Sequence, residues 1–260
     1  MLGSIDVVML TKNSENLLKE CLTSIYENVP VNRLIVVDGS STDKTLNILS
    51  EVNEDYENVK VLTENGSRAQ ARERGIREVK TEWFMFVDSD VILCKDWFKK
   101  AEKNIKRDVG AVWGLNIDVI SSVKSKFFLR LLALIAKQCF NLRGGMHDIL
   151  IRHELVKGIK IPEQLHVYED AYIVNWIKKK GGKIVIGDDI YCLHYKPPEN
   201  WSLKKGIPQA VLEVKCGLVY SHIFRYAFYY PFFMFYWFLQ LLSQNSGNKS
   251  SCKGSPKMIR

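Results

Sequence analysis

Two carboxylates one residue apart, in Asp88-Ser89-Asp90, follow directly on the apolar run Trp83-Phe84-Met85-Phe86-Val87. A buried strand ending there projects both into a cleft. Hard divalent cations such as Mg2+ or Mn2+ take oxygen ligands and are commonly held by one or two carboxylates together with substrate phosphates. Such an ion neutralises a diphosphate and makes it a better leaving group. Alone, the triplet also reads as a turn or a helix cap, because Asp and Ser serve both. A second candidate is Asp38-Gly39-Ser40-Ser41-Thr42-Asp43, just past Leu34-Ile35-Val36-Val37. Asp38 can accept hydrogen bonds from a base N–H or a ribose hydroxyl, and Thr42 and Asp43 suit the cap of the next helix.

These residues need elements to position them. Apolar runs at Ile5–Leu10, Leu34–Val37, Val59–Leu62, Trp83–Val87 and Val109–Leu115 read as strands. Between them, helical periodicity appears around Asn16–Tyr26, Thr45–Val52, Arg68–Val79 and Asp96–Ile105. Strands alternating with helices imply an α/β fold with crossover connections and a mostly parallel sheet covered on both faces. Ligands of such sheets sit beyond the carboxyl ends of the strands. The residues there are polar, and aspartates stand at two of the four strand ends: Thr11-Lys12-Asn13, Asp38–Asp43, Thr63–Gly66 and Asp88–Asp90. Further on, Tyr168-Glu169-Asp170 precedes a periodic run, Ala171–Lys180, that Gly181-Gly182 ends. Acidic residues in its first turn and lysines in its last match the helix dipole.

Composition narrows the partners. The 260 residues carry a formal net charge of +8, with 47% hydrophobic and 25% charged residues. That excludes a disordered tail and a polytopic membrane protein, and it points to an acidic partner such as nucleic acid, anionic lipid or a phosphorylated small molecule. No zinc-finger spacing, aromatic RNA-binding motif or long basic run supports nucleic acid. Neither G-x-G-x-x-G nor G-x-x-x-x-G-K-[ST] occurs, which argues against dinucleotide and P-loop chemistry. The six scattered cysteines suit small core residues in a reducing compartment. Ile5–Leu10 begins almost at once, so a cleaved secretory signal is not expected.

Two segments suggest membrane contact. Val119–Arg143 is helix-like, with Lys126, Arg130 and Lys137 on one face. It reads equally as a membrane-surface helix or a core helix with a basic solvent face. Twelve of the 29 aromatics lie between Tyr220 and Phe238. Tyr226–Leu242 is marginal in length for a span, and its flanking cations fit an interfacial or tilted anchor. A buried helix or a dimer interface is the alternative. The expected division is a catalytic domain over 1–216, a membrane-associating segment over 217–243 and a basic tail over 244–260.

Val7–Asn13, Val37–Thr45, Ala71-Arg72-Glu73-Arg74-Gly75-Ile76 and Trp83–Asp90 occur in that order. Together they resemble the successive motifs of the family 2 glycosyltransferases, and Glu169-Asp170 with its helix and Lys-Gly-Gly turn resembles that family's acidic acceptor-side motif. The resemblance covers roughly residues 4 to 200. It implies the GT-A fold, a Rossmann-like sheet flanked by helices, and an inverting transfer from a nucleotide-sugar donor to a glycan or lipid-linked acceptor. By the same resemblance Thr11, Asn13, Asp38, Arg68, Arg72 and Asp88 would bind the nucleotide-sugar, and Asp90 and His194 would hold Mg2+ or Mn2+. Asp170 would be the general base, with Glu169 beside it on the acceptor side. Leu10 stands where proline is usual, and Glu73 replaces the usual asparagine, placing a negative charge near the donor site.

The expected setting is the cytoplasmic face of a membrane, with membrane lipid as a further partner. Two rivals are carried alongside. A polyprenyl-phosphate glycosyltransferase would need no base, because its acceptor is already ionised. A non-catalytic membrane scaffold of the same fold would have no use for intact Asp88, Asp90 and Asp170.

Overall fold

The structure, a computed structural model, describes residues 2–119, 146–163, 165 and 169–195. The helix expected over 119–143, apart from Val119, and the segments 217–243 and 244–260 lie outside the described residues. Among the described residues, no helix is long and apolar enough to cross a membrane.

The first half follows the alternation expected from sequence. β1 (Ile5–Thr11), α1 (Leu18–Asn28), β2 (Val31–Asp38), α2 (Thr45–Tyr56), β3 (Val59–Thr63), α3 (Arg68–Glu78) and β4 (Trp83–Val87) succeed one another. β5 (Val91–Leu93), α4 (Trp97–Glu102), β6 (Val109–Asp118), β7 (Asp148–Arg152), α5 (His153–Val156), α6 (Glu169–Lys179) and β8 (Lys183–His194) complete the described elements. All eight strands form one sheet in the order β3-β2-β1-β4-β7-β6-β8-β5.

The sheet is mostly parallel, as expected, but mixed, with two of its eight strands, β5 and β7, reversed. β1, β2, β3 and β4 pair parallel. β7 enters antiparallel between β4 and β6, and β5 runs antiparallel on the edge beside β8. Only Asp88-Ser89-Asp90 separates β5 from β4, too few residues for the crossover that returns a strand parallel. An apolar run by itself gives no sign of strand direction.

Alternation along the strands divides the core. Val7, Met9, Leu34, Val36, Met85 and Val87 face α1, α2 and α4 through Leu18, Leu22, Leu49, Trp97 and Phe98. Val8, Ile35, Phe84, Phe86, Ile149 and Ile151 face α3 and α6 through Ala69, Ile76, Ile173 and Ile177. Each helical layer buries one apolar stripe on one face of the sheet, because side chains at i and i+2 of a strand share a face.

Two local features set the site. α3 begins with a capping box, in which Ser67 accepts from the Gln70 N–H while the Gln70 side chain accepts from the Ser67 N–H. Gly75 then lets the helix lie close to β1, since a Cβ there would come within 2.4 Å of Val8 Cγ1. The β4–β5 turn is the second feature. The chain leaves the sheet centre at Asp88 and rejoins at the edge, where Val91 pairs with His194.

Candidate active site

Thr11 and Asp38 are partners in the register of β1 and β2, and both are buried. Thr11 Oγ1 donates to Asp38 Oδ1 at 2.8 Å. Ser41 donates twice, from Oγ to Oδ1 at 2.6 Å and from N to Oδ2 at 2.8 Å. Asn13, in the left-handed region at φ 52°, binds the same loop. Its N–H donates to Ser41 Oγ, and its Oδ1 accepts the Thr42 N–H, both at 2.8 Å. Asn is among the few residues that adopt this conformation readily. The two loops are thus tied into one wall before any ligand arrives.

Asp88 sits past the end of β4 between two cationic or donor side chains. Arg72 Nη2 donates to its Oδ1 at 2.8 Å, and His147 Nδ1 lies 2.8 Å from its Oδ2. Burial alone would raise the Asp88 carboxyl, but Arg72 and His147 outweigh it and hold the group well below the usual carboxylate range. Arg72 is buried, with its guanidinium 4.7 Å over the Phe86 ring. Its Nε and Nη1 have no partner among the described residues. Buried donors without partners are costly, so this guanidinium offers two strong N–H groups to an incoming anion.

Asp90 and His194 come together through the β5–β8 pairing. The Tyr195 N–H donates to Asp90 O at 2.9 Å, and His194 Nε2 lies 3.3 Å from Asp90 Oδ2. His194 Nδ1 faces Asn116 Nδ2 at 3.5 Å. Among the described residues no three His, Cys, Asp or Glu side chains form a ready-made metal cage. A carboxylate and an imidazole fit a divalent cation that completes its shell with diphosphate oxygens and water. Each Asp88 oxygen already has one protein partner.

Glu169 and Asp170 open α6. Glu169 is buried, and its Oε2 has no partner among the described residues. Burial raises its carboxyl; nearby Arg72 opposes this, Asp170 adds to it, and Arg68 opposes it from the exposed start of α3. These couplings place the acidic pair close to the arginine helix. Asp170 Oδ1 accepts the Ala171 N–H at 2.6 Å.

One expectation is corrected. Glu73 does not bring a negative charge to the donor site. Its Oε1 accepts the Ile161 N–H at 2.6 Å, and its Oε2 lies 3.6 Å from Lys160 Nζ and 3.7 Å from Arg77 Nη2. Adjacent positions on a helix diverge by about 100°, so Arg72 turns to the sheet end while Glu73 anchors the segment 160–163.

His147 was not anticipated. β7 runs antiparallel, so its beginning, not its end, lies at the carboxyl ends of the parallel strands, and Asp148 pairs with Val87. Searching only after each apolar run overlooks the residue before one.

Several known proteins are similar. The chain is 33% identical over 124 residues to a poly(ribitol-phosphate) beta-glucosyltransferase of Bacillus spizizenii, covering 43% of this chain and 19% of that protein. The chain therefore spans less than a fifth of that relative's length. Among solved structures, S. aureus TarS (residues 1–349) in complex with UDP superposes with a TM-score of 0.58 at 24% identity, covering 75% of this chain and 61% of that one. The mannosyltransferase PcManGT of Pyrobaculum calidifontis, in complex with GDP-Man and Mn2+, gives a TM-score of 0.60 at 20% identity over 77% of this chain and 59% of that one. Both share the fold. Residues 6–154 match the family described as glycosyl transferase family 2, and the chain belongs to that family.

Proposed function

We propose that this chain transfers a sugar from a nucleotide-sugar, with inversion, to a hydroxyl of a glycan or lipid-linked acceptor, with Mg2+ or Mn2+ bound. The observation that carries the reading is Arg72, buried at the strand ends with Nε and Nη1 unpartnered beside Asp88. Family membership and the PcManGT complex with GDP-Man and Mn2+ support it.

In this reading Thr11, Asn13 and Asp38 form the wall against which the nucleoside rests, and Asp88 orients Arg72. Asp90 and His194 would hold the cation, which would neutralise charge on the diphosphate. Asp170 takes the proton of the acceptor hydroxyl while its oxygen forms a bond to the anomeric carbon. The bond from that carbon to the diphosphate oxygen breaks, and its electron pair leaves with the nucleoside diphosphate, which Arg72 stabilises. At a helix N-terminus the Asp170 anion is favoured, so it is ready to accept a proton. Glu169 lines the acceptor side, and Arg68 borders the donor.

The membrane setting belongs to the same proposal. The aromatic segment 217–243 would keep the enzyme at the cytoplasmic face, in contact with lipid. Truncation after Gly217 should release the protein from the membrane fraction, and unchanged fractionation contradicts the anchor. The catalytic reading is tested with Asp170→Asn. Collapse of transfer with intact donor binding is expected. Turnover close to wild type contradicts a hydroxyl acceptor and fits an acceptor phosphate.

A further inference from the structure

We infer that His147 is a positioning residue of the donor site, holding Asp88 against Arg72 and seating His194 beside Asp90. The inference rests on the donor-site reading above. Asp88 Oδ1 is fixed by Arg72 at 2.8 Å. With nothing on Oδ2, the broad terminal torsion of an aspartate would let the carboxylate turn and carry the guanidinium with it. His147 Nδ1, 2.8 Å from Oδ2, closes that freedom. A carboxylate oxygen accepts hydrogen bonds, so Nδ1 is the donor in this contact. A second link joins the same two residues through the backbone, from the Asp88 N–H to His147 O at 3.2 Å.

The His147 ring also meets the His194 ring, with centroids 4.4 Å apart and planes inclined by 36°. His194 Nε2 in turn lies 3.3 Å from Asp90 Oδ2. An unbroken line of contacts therefore runs from Arg72 through Asp88, His147 and His194 to Asp90. The ground beneath His147 is rigid. Asp148, the next residue, is buried and accepts the Trp97 Nε1–H at 2.8 Å. Gly114 makes room for it, since a Cβ there would lie 2.2 Å from Asp148 Oδ2.

Calorimetry of the full chain with Mn2+ and each of UDP, GDP, ADP, CDP and dTDP tests the assignment. His147→Asn keeps an N–H donor near the position of Nδ1, whereas His147→Phe keeps a ring and loses the donor. His147→Phe and His147→Ala should weaken Mn2+-dependent nucleotide binding about tenfold, the size of one lost hydrogen bond. His147→Asn should stay within about threefold of wild type. Wild-type affinity in the Phe or Ala variant overturns the assignment, as does an Asn variant that falls as far as Ala. Should Phe and Ala fail to fold, the Asn variant decides alone: affinity within about threefold of wild type supports the assignment and a loss of about tenfold overturns it. A wild-type chain that binds none of the five nucleotides overturns the donor-site reading itself, and this inference with it.

Discussion

Arg72 and Asp88 form a half-used pair. One guanidinium nitrogen reaches Oδ1 at 2.8 Å while Nε and Nη1 stay buried and unpartnered. A structural ion pair would turn its fork so that two nitrogens met the carboxylate. This one keeps its other donors for something else, and an anionic leaving group is the chemistry that fits.

Arg72→Lys should therefore fail as a replacement. Lysine keeps the charge but lacks the planar fork, and its ammonium cannot serve Asp88 and a phosphate oxygen from one plane. A loss of about tenfold or more in nucleotide-sugar affinity is expected, read by calorimetry. Binding equal to wild type would show that charge alone suffices.

Asp148 supplies a pH prediction. Burial pushes its carboxyl up to about 7, against the opposing hydrogen bond from Trp97. Between its ordinary value of 3.8 and about 7 the unfolded chain has released a proton that the folded chain retains. Stability from this group is therefore full below the unfolded value and is lost as pH rises through the folded one. Asp148→Asn removes that dependence while still accepting from Trp97. The melting temperature of the variant minus that of wild type should grow from pH 4.5 to about 7.5. A flat difference would place Asp148 in a more polar setting than the structure shows.

Glu73→Ala tests the corrected placement. Nucleotide binding should hold within about twofold, because the carboxylate points away from the sheet end. The Ile161 amide should exchange with solvent faster, since it loses its acceptor. A large drop in nucleotide binding with unchanged exchange would return Glu73 to the donor site.

Legibility followed strand direction. Thr11, Asp38 and Asp88 could be found because parallel strands point their ends the same way, and a polar residue after an apolar run marks the site. Arg72 came from motif order, and the structure gave it a neighbour, Phe86, and unpartnered nitrogens that no spacing conveys. His147 stayed hidden because β7 runs backward and offers its beginning to the site. Met146-His147-Asp148 before Ile149-Leu150-Ile151 was a readable signal once reversal of one strand was allowed. Glu73 was misplaced because motif position fixes a residue's turn of helix but not which neighbour claims its side chain. The pairing of Asp90 with His194 depends on β5 and β8 meeting at the edge, a contact between residues 104 apart that periodicity cannot reveal.

Asp90 is the group on which the metal reading turns. Its side chain is 36% exposed, so Asp90→Asn should leave the melting temperature nearly unchanged. Mn2+-dependent nucleotide binding should be lost in the same variant. Retained Mn2+ dependence would move the cation elsewhere.

The proposal stands or falls on a nucleotide-sugar held by Arg72, which Asp88 orients, and by a divalent cation on Asp90 and His194. The most direct measurement is a donor-hydrolysis screen over nucleotide-sugars with Mn2+ or Mg2+, repeated with EDTA and with Asp90→Asn. Hydrolysis of at least one donor is expected, abolished by the chelator and by the substitution. Equal hydrolysis in EDTA, or no donor bound or cleaved with either metal, would contradict the proposal.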